Sequence, residues 1–370
     1  MAGLYIHIPF CASRCIYCGF YSTTLARLRP LYVEALLKEL HLRRDYISAP
    51  WHTIYIGGGT PSQLSPELLQ RLFSGIDCSA ATEVTMECNP DDITLDYAEA
   101  LAAMPVNRVS MGVQTFSDDR LRFLHRRHTA GEVETAVGRL RSVGIGNISI
   151  DLMFGFPGET MDDWRSDMER AIALDVEHIS AYSLTYEEGT RLFRMREEHG
   201  VKEVDEEVSR DMYYALCDRL GSAGYEHYEL SNFARPGFRS RHNSGYWKER
   251  PYMGIGAAAH SYDTRSRQWN AADVERYIEA IERGSVPSEM ETLDLDTRYN
   301  DTVMLSLRTA EGIDLAKLER DFGAMRLNYC LANAAPYVAD GLLRRDGHRL
   351  RLTRNGLFVS DMVMADLMKV

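Results

Sequence analysis

The chain opens with Leu-Tyr-Ile-His-Ile-Pro-Phe-Cys-Ala-Ser-Arg-Cys-Ile-Tyr-Cys-Gly-Phe-Tyr, which spans residues 4–21. The apolar run from Leu4 to Ile8 predicts a short strand, and the proline after it predicts the start of a loop. That loop carries Cys11, Cys15 and Cys18 within eight consecutive residues. Thiolates at this spacing can converge on one metal centre, because a loop backbone lets all three side chains turn inward.

The number of thiolates bears on the kind of centre. A structural zinc ion usually has four nitrogen or sulfur ligands, and His7 is a candidate for the fourth, although on a strand it should point away from the loop tip. A four-iron cluster held by three cysteines leaves one iron open to a small molecule. Seven cysteines, an odd number with three clustered, do not suggest a disulfide framework. We therefore expect an iron–sulfur cluster, with zinc or a disulfide as the alternatives.

Composition and charge limit the class of protein. A chain of 370 residues with 45% hydrophobic and 26% charged residues is long enough for one large domain and a smaller one. The formal net charge of -12 argues against a nucleic-acid-binding protein, although local basic groups can still bind a small anion. The sequence shows neither a signal-peptide pattern nor an apolar run long enough to span a bilayer. With scattered, unpaired cysteines, these features predict a cytoplasmic protein.

Strand and helix patterns alternate over the first 190 residues. Six strands are predicted, each followed by a helical pattern, at residues 4–8, 53–56, 83–87, 108–112, 148–152 and 178–182. Such alternation is typical of an α/β protein with a parallel sheet or barrel, and six strands rather than eight predict a partial (β/α)6 barrel with an open side. Ligands of such folds bind at the carboxyl ends of the strands, where the cysteines and several polar residues fall.

Three polar features at that edge each have two interpretations. The segment Gly57-Gly58-Gly59-Thr60 is either a tight turn or exposed backbone that meets a polar ligand, and the neighbouring cysteines favour the ligand. Glu87 either is solvated or accepts hydrogen bonds from ribose hydroxyls. Arg126 belongs either to a basic helix face or to a site for a carboxylate, which its guanidinium can grip at two points.

The rest of the chain has a different pattern. Residues 191–219 are predicted to be helical, residues 231–237 form a loop, and that loop is expected to continue into residues 241–247. From residue 293, helices and a hairpin over Asp346-Gly347 predict a small C-terminal domain that is α-rich and winged-helix-like. We therefore divide the chain into a partial barrel at 1–190, a barrel extension at 191–290 and a C-terminal domain at 291–370.

The segment His242-Asn243-Ser244-Gly245-Tyr246-Trp247 also has two interpretations. It is either a buried loop with an aromatic anchor and a hydrogen-bonded histidine, or a surface for a flat aromatic ligand. In the second case the imidazole faces a metal and the rings face the macrocycle. His260, beside the Gly-Ala stretch at 254–259, is expected to be structural.

These motifs resemble the oxygen-independent coproporphyrinogen III oxidase-like branch of the radical S-adenosylmethionine (SAM) superfamily, and within it the HemW-type heme chaperones. The resemblance covers essentially the whole chain, including the cysteine spacing and the segments at 57–62, 87–90, 110–114 and 151–157. It implies a radical-SAM partial barrel with a [4Fe-4S] cluster on Cys11, Cys15 and Cys18 and SAM at the open iron. The SAM contacts that it implies are Tyr5, Tyr17, Gly58, Gly59, Thr60, Glu87, Gln114, Arg126, Asp151 and Thr185.

Two features distinguish the members of this branch. The oxidases have a fourth cysteine two residues after the third, where this chain has Phe20. The His-Asn-x-x-Tyr-Trp motif resembles that of the heme chaperones and implies heme contacts at His242, Asn243, Tyr246 and Trp247. The leading hypothesis is a heme chaperone that binds heme and transfers it to an acceptor protein, with the cluster and SAM in support and no catalytic residue assigned.

Two other functions stay open. The cluster loop permits a radical SAM oxidative decarboxylase that acts on coproporphyrinogen III or a related tetrapyrrole, although Phe20 argues against it. A nucleic-acid role for the C-terminal part is disfavoured by the net charge. The sequence does not identify the heme acceptor, and it is compatible with a homodimer and with peripheral membrane association through that acceptor.

Overall fold

The computed structural model describes residues 1–198 and 200–369, and a twelve-stranded sheet organises most of them. Six parallel strands, adjacent in chain order, form its centre. All six were predicted from the sequence, close to their observed bounds. They are β1 (Ala2–Ile8), β2 (Trp51–Gly58), β3 (Glu83–Cys88), β4 (Arg108–Gln114), β5 (Ile148–Phe154) and β6 (His178–Ser183).

Helices follow these strands and cover one face of the sheet. Leu4 and Ile6 of β1 are fully buried in a core that includes Tyr32 and Leu36 of the first helix. Because strand side chains alternate between faces, Tyr5 of β1 points to the other face, inside the barrel. The helices are α1 (Arg29–Leu42), α2 (Pro66–Phe73), α3 (Leu95–Ala102), α4 (Asp118–Phe123), α5 (Ala130–Ser142) and α6 (Met161–Ala173).

The sheet extends beyond the six predicted strands at both edges. β7 (Glu226–Glu229) and β8 (Asn232–Ala234) are antiparallel additions next to β6. At the other edge β9 (Tyr252–Ile255) runs parallel to β1, and three further strands continue antiparallel. Those strands are β10 (His260–Tyr262), β11 (Ser266–Asn270) and β12 (Ser288–Thr292). The helices of this region are α7 (Arg191–Glu197), α8 (Glu206–Ser222), α9 (Arg241–Trp247) and α10 (Val274–Glu282).

Two local predictions in this region are wrong. The expected loop at residues 231–237 contains β8, whose Phe233 is part of the main core and whose Ala234 is also buried. The expected loop at residues 241–247 is helix α9, which begins after Ser240, whose side chain accepts a hydrogen bond from the backbone of Asn243. Short elements of this kind are stabilised by tertiary contacts rather than by their own sequence pattern.

The C-terminal residues form a second core around Tyr299, Val303, Leu318 and Phe322. The hairpin predicted there is present, as is the helical character. Gly323, with a φ of +82°, interrupts the longest helix. No helix in the described part of the chain is long and apolar enough to cross a membrane. The elements are α11 (Leu295–Leu307), β13 (Ile313–Asp314), α12 (Leu315–Ala339), β14 (Leu343–Asp346), β15 (Arg349–Leu352), α13 (Arg354–Leu357) and α14 (Ser360–Leu367).

Candidate functional site

A cavity of about 700 Å³ lies inside the partial barrel and reaches the carboxyl ends of its strands. It is lined by the three clustered cysteines and by all ten of the residues expected to bind SAM. One residue of the His-Asn-x-x-Tyr-Trp motif also reaches it. The lining residues among the predicted site are Tyr5, Cys11, Cys15, Tyr17, Cys18, Gly58, Gly59, Thr60, Glu87, Gln114, Arg126, Asp151, Thr185 and Asn243.

Backbone contacts and an apolar anchor hold the cysteine loop in place. The N–H of Thr23 donates to the carbonyl of Pro9 at 2.7 Å, and the N–H of Cys11 donates to the carbonyl of Thr23 at 2.9 Å, which closes the base of the loop. Ile16, in the middle of the loop, is buried in a small apolar cluster that includes Leu124 and Leu192. The loop is therefore fixed at both its base and its centre before any ligand binds.

Two of the three thiols face donors that would suit thiolates. The Thr60 hydroxyl donates to Cys11 Sγ at 3.5 Å, and Arg126 Nη1 donates to Cys15 Sγ at 3.7 Å. Burial raises the pKa of Cys11 and of Cys18, so a metal centre must displace protons to bind there. All seven cysteines are free of disulfides, and among residues 1–198 and 200–369 no three His, Cys, Asp or Glu side chains could hold a single metal ion. Three thiols on one cavity wall, with hydrogen-bond donors to two of them, fit a [4Fe-4S] cluster better than a closed zinc site.

The glycine turn after β2 packs tightly against the cysteine loop. Gly58 has a φ of +115°, and a Cβ at that position would lie 2.6 Å from the ring of His7. A Cβ at Gly59 would lie 2.8 Å from the backbone of Pro9. The backbone of this turn therefore lines the cavity at a distance that a side chain would not permit.

Two carboxyl groups lie deeper in the cavity. Glu87 accepts hydrogen bonds from the Tyr55 hydroxyl at 2.7 Å and from the N–H of Gly58 at 3.0 Å. Burial raises the pKa of Glu87 to about 7, with a smaller contribution from the charge of Asp151. Burial likewise raises the pKa of Asp151 to about 6. Buried carboxyls that face a cavity are suited to hydroxyl or ammonium donors of a polar ligand.

Arg126 connects the cysteine loop to β3 and β4. Its Nη2 donates to Asn89 Oδ1 at 2.7 Å and to the carbonyl of Gly112, while its Nε is buried without a hydrogen-bond partner. Gln114 lies beside it at a bulge in β4, with a φ of +69°. A buried guanidinium nitrogen without a partner marks a donor that a ligand carboxylate could satisfy.

His242 does not line the cavity, and neither do Tyr246 and Trp247. The ring of His242 is buried, with Nδ1 2.9 Å from Thr53 Oγ1 and Nε2 2.8 Å from the Tyr246 hydroxyl. Burial lowers the pKa of His242 to about 3, so the ring is neutral at physiological pH. Since both ring nitrogens have partners, neither is open to an iron atom in this conformation.

Comparisons with known proteins identify the family of this chain. The Radical SAM superfamily model matches residues 5–171, and the HemN C-terminal domain model matches residues 293–359. The heme chaperone HemW of Lactococcus lactis is 36% identical over 95% of this chain and 93% of its own length. HemW of Mycobacterium tuberculosis is 35% identical over 99% of this chain and 94% of its own. The chain belongs to the HemW family.

Family membership confirms the resemblance inferred from the motifs. The HemW-family fold is also that of coproporphyrinogen III oxidase (HemN) from Escherichia coli, a radical SAM enzyme, with a TM-score of 0.86 at 22% identity over 100% of this chain and 90% of that one. The α/β radical-SAM architecture is therefore confirmed. The divisions at residues 190 and 290 stay predictions, and residues 191–290 share the main sheet with the barrel.

Sequence reasoning missed several cavity residues of this HemW-family chain, above all Arg108 on β4. Arg108 is 1% exposed, and its Nε has no hydrogen-bond partner among the described residues. Arg108, Ser110 and Gly112 are every second residue of β4, and all three line the cavity. A period of two in polar residues along a buried strand was the signal that could have found them. His7 was expected to point away from the tip of the cysteine loop, but its ring lines the cavity from β1.

Proposed function

We propose that this chain binds heme and transfers it to an acceptor protein, and that it carries a [4Fe-4S] cluster and SAM inside the partial barrel. The observation that supports the cofactors is the convergence of Cys11, Cys15 and Cys18 with Glu87 and Arg126 on one cavity. The observation that supports heme is membership of a family whose relatives in Lactococcus lactis and Mycobacterium tuberculosis are heme chaperones.

The cavity residues have distinct roles in this proposal. Cys11, Cys15 and Cys18 would hold the cluster, which would supply an open iron site for SAM. The unpartnered Nε of Arg126 is placed to hold the SAM carboxylate, and Glu87 to accept hydrogen bonds from the ribose. The glycine turn at 57–59 keeps side chains away from that space. Tyr5, Tyr17, Thr60, Gln114, Asp151 and Thr185 complete the proposed SAM contacts.

The residues of the His-Asn-x-x-Tyr-Trp motif on α9 have different roles in this proposal. Asn243 faces the cavity, whereas His242 holds α9 against β2 through Thr53. We place Tyr246 and Trp247 with the heme contacts, and His242 behind them as a positioning residue in the conformation observed. A rearrangement of α9 would be needed to free either nitrogen of His242.

A decarboxylase is the second candidate, and nothing at the site favours it over the chaperone. Phe20, at the position of the oxidases' fourth cysteine, is 73% exposed and lines the mouth of the cavity. An aromatic side chain there cannot replace a thiol as a ligand or a hydrogen donor. The likeness to HemN in structure bears on the fold alone.

The test is a heme titration and an enzyme assay on the same preparation. Protein reconstituted without oxygen should bind heme stoichiometrically, seen as a Soret band, and should not convert coproporphyrinogen III to protoporphyrinogen. Cys15→Ala should lose the absorbance of the cluster, whereas Cys78→Ala, at a half-buried cysteine outside the loop, should keep it. Conversion of coproporphyrinogen without heme binding would show that the protein is a decarboxylase and not a heme chaperone.

A further inference from the structure

His260, at the start of β10, has an exposed ring outside the barrel cavity. No group among the described residues hydrogen-bonds either of its ring nitrogens. His242, in contrast, is 3% exposed and has a partner on both nitrogens. An axial ligand of heme iron needs an accessible nitrogen, and His260 has one where His242 does not.

Trp269 fixes the orientation of the His260 ring. The two residues are cross-strand partners on β10 and β11, and their rings are stacked with centroids 6.1 Å apart and an interplanar angle of 26°. Stacking on one face of the imidazole leaves its nitrogen-bearing edge free. The ring is thus positioned by the indole rather than by a hydrogen bond, which leaves its nitrogens free to bind a metal.

The surface around His260 continues the inner face of the barrel. Tyr5, which lines the cavity, pairs with Gly254 on β9, and a Cβ at Gly254 would overlap the backbone of His260. Between Tyr5 and His260, therefore, Gly254 adds no side chain to this face of the sheet. Burial lowers the pKa of His7 to about 4, and the charge of the nearby His260 contributes to that shift. His260 therefore lies across Gly254 from Tyr5, a residue of the cavity wall.

Aromatic rings extend from this row to helix α9. Tyr252 and Tyr262 are cross-strand partners on β9 and β10, with ring centroids 6.2 Å apart. Tyr246 of α9 packs edge-on against Tyr252 with centroids 4.6 Å apart. We call the surface formed by Tyr246, Tyr252, Tyr262, His260 and Trp269 the aromatic platform. A flat macrocycle can lie on such rings while a histidine reaches its iron.

We infer that heme docks on the aromatic platform with His260 as an axial ligand of its iron. The inference rests on the proposed function, because heme as the occupant comes from the family. It assigns the iron ligand to a residue that sequence analysis had considered structural, and it gives α9 a role through Tyr246. Burial and then the charge of Arg267 lower the pKa of His260, so the ring is neutral at pH 7, as an iron ligand must be.

The test compares ferric heme titrations of the wild-type protein, His260→Ala and His348→Ala. His348 is an exposed histidine in the C-terminal hairpin and is not part of the aromatic platform, so it serves as the matched control. We expect His260→Ala to bind heme about tenfold more weakly, or with a shifted Soret band and altered spin state, while His348→Ala matches the wild type. Added imidazole should restore the wild-type band position in His260→Ala, which a merely structural role would not produce.

The outcomes separate this inference from the function on which it rests. Wild-type protein that binds no heme would refute the proposed function. Wild-type affinity and an unchanged spectrum in His260→Ala would refute the inference alone, and so would a weakened band that imidazole does not restore. An equal loss in His348→Ala would indicate nonspecific adsorption and would also overturn it. His260→Gln, which keeps a polar side chain of similar size, should repeat the result of His260→Ala if that variant proves less stable.

Discussion

The carboxylate of Glu83 accepts a hydrogen bond from the backbone N–H of His242 at 2.8 Å. Its second oxygen accepts one from the N–H of Arg241 at 2.9 Å. A buried acidic side chain on β3 therefore satisfies two backbone donors in the first turn of α9, where a negative charge is also favourable. The position of the whole His-Asn-x-x-Tyr-Trp motif depends on this contact between a strand of the barrel and a short helix.

Glu83→Ala should loosen α9. The variant loses two charge-assisted hydrogen bonds and leaves the buried N–H of His242 without a partner, so we expect about 2–3 kcal/mol less free energy of unfolding. Urea unfolding followed by circular dichroism measures this. Glu289→Ala, on the exposed strand β12, is the matched control and should change stability by less than about 0.5 kcal/mol. Equal stability of Glu83→Ala and wild type would mean that α9 does not depend on Glu83.

Gly58→Ala should be destabilising, because both the backbone and the space at this position exclude a Cβ. Gly58 has a φ of +115°, and the added methyl group would lie 2.6 Å from His7. We expect a loss of about 2 kcal/mol or more in the free energy of unfolding, and weaker SAM binding because the turn must move.

Gly138→Ala provides the contrast to Gly58→Ala. Gly138 lies within α5, and a Cβ there would meet nothing within 4 Å. Alanine favours a helix over glycine, so this variant should gain about 0.5–1 kcal/mol. Thermal unfolding of both variants tests the pair, and similar melting temperatures would contradict the strain inferred at Gly58.

Glu87→Gln should change how stability depends on pH in the cofactor-free protein. Burial raises the pKa of Glu87 in the folded state to about 7, against about 4.5 for its ordinary value. Between those two pKa values, the Glu87 carboxyl is protonated in the folded state and ionised in the unfolded state. The free energy of unfolding therefore decreases as pH rises through that window. The variant lacks this titration, and its stability relative to wild type should increase from pH 4.5 to pH 7.

Urea midpoints at several pH values measure this difference. A constant difference for Glu87→Gln would mean that Glu87 titrates in the folded protein as it does in the unfolded chain.

The sequence was sufficient for the barrel because its strands are apolar and alternate with helices. Leu4, Ile6 and Ile8 on β1 point to the helices, and the polar residues at the strand ends meet in the cavity as expected. The additional strands were not predictable in the same way. β8 has three residues and β10 has three, too few for any periodicity to appear.

The positions of the two histidines show a second limit. Both His242 and His260 stand beside aromatic or small residues in the sequence, and nothing local tells which is buried. His242 is buried because Glu83 and Thr53, far away in the chain, hold α9 against the sheet. His260 is exposed on β10, a three-residue strand that the sequence did not reveal. When partners far along the chain determine whether a side chain is buried, its neighbours in the sequence do not predict that burial.

Arg126→Lys should weaken SAM binding while it preserves the charge. Arg126 uses Nη1 and Nη2 for Cys15, Asn89 and Gly112 and has Nε left without a partner, whereas lysine offers a single ammonium group. We expect about tenfold weaker SAM binding to the reconstituted protein, measured by equilibrium dialysis. Arg122→Lys, on the exposed side of the same segment, should bind SAM as the wild type does. Wild-type affinity in Arg126→Lys would exclude a role for the guanidinium fork of Arg126. The carboxylate of SAM would then have to be held by another cavity residue, and Arg108 is a buried arginine on the cavity wall.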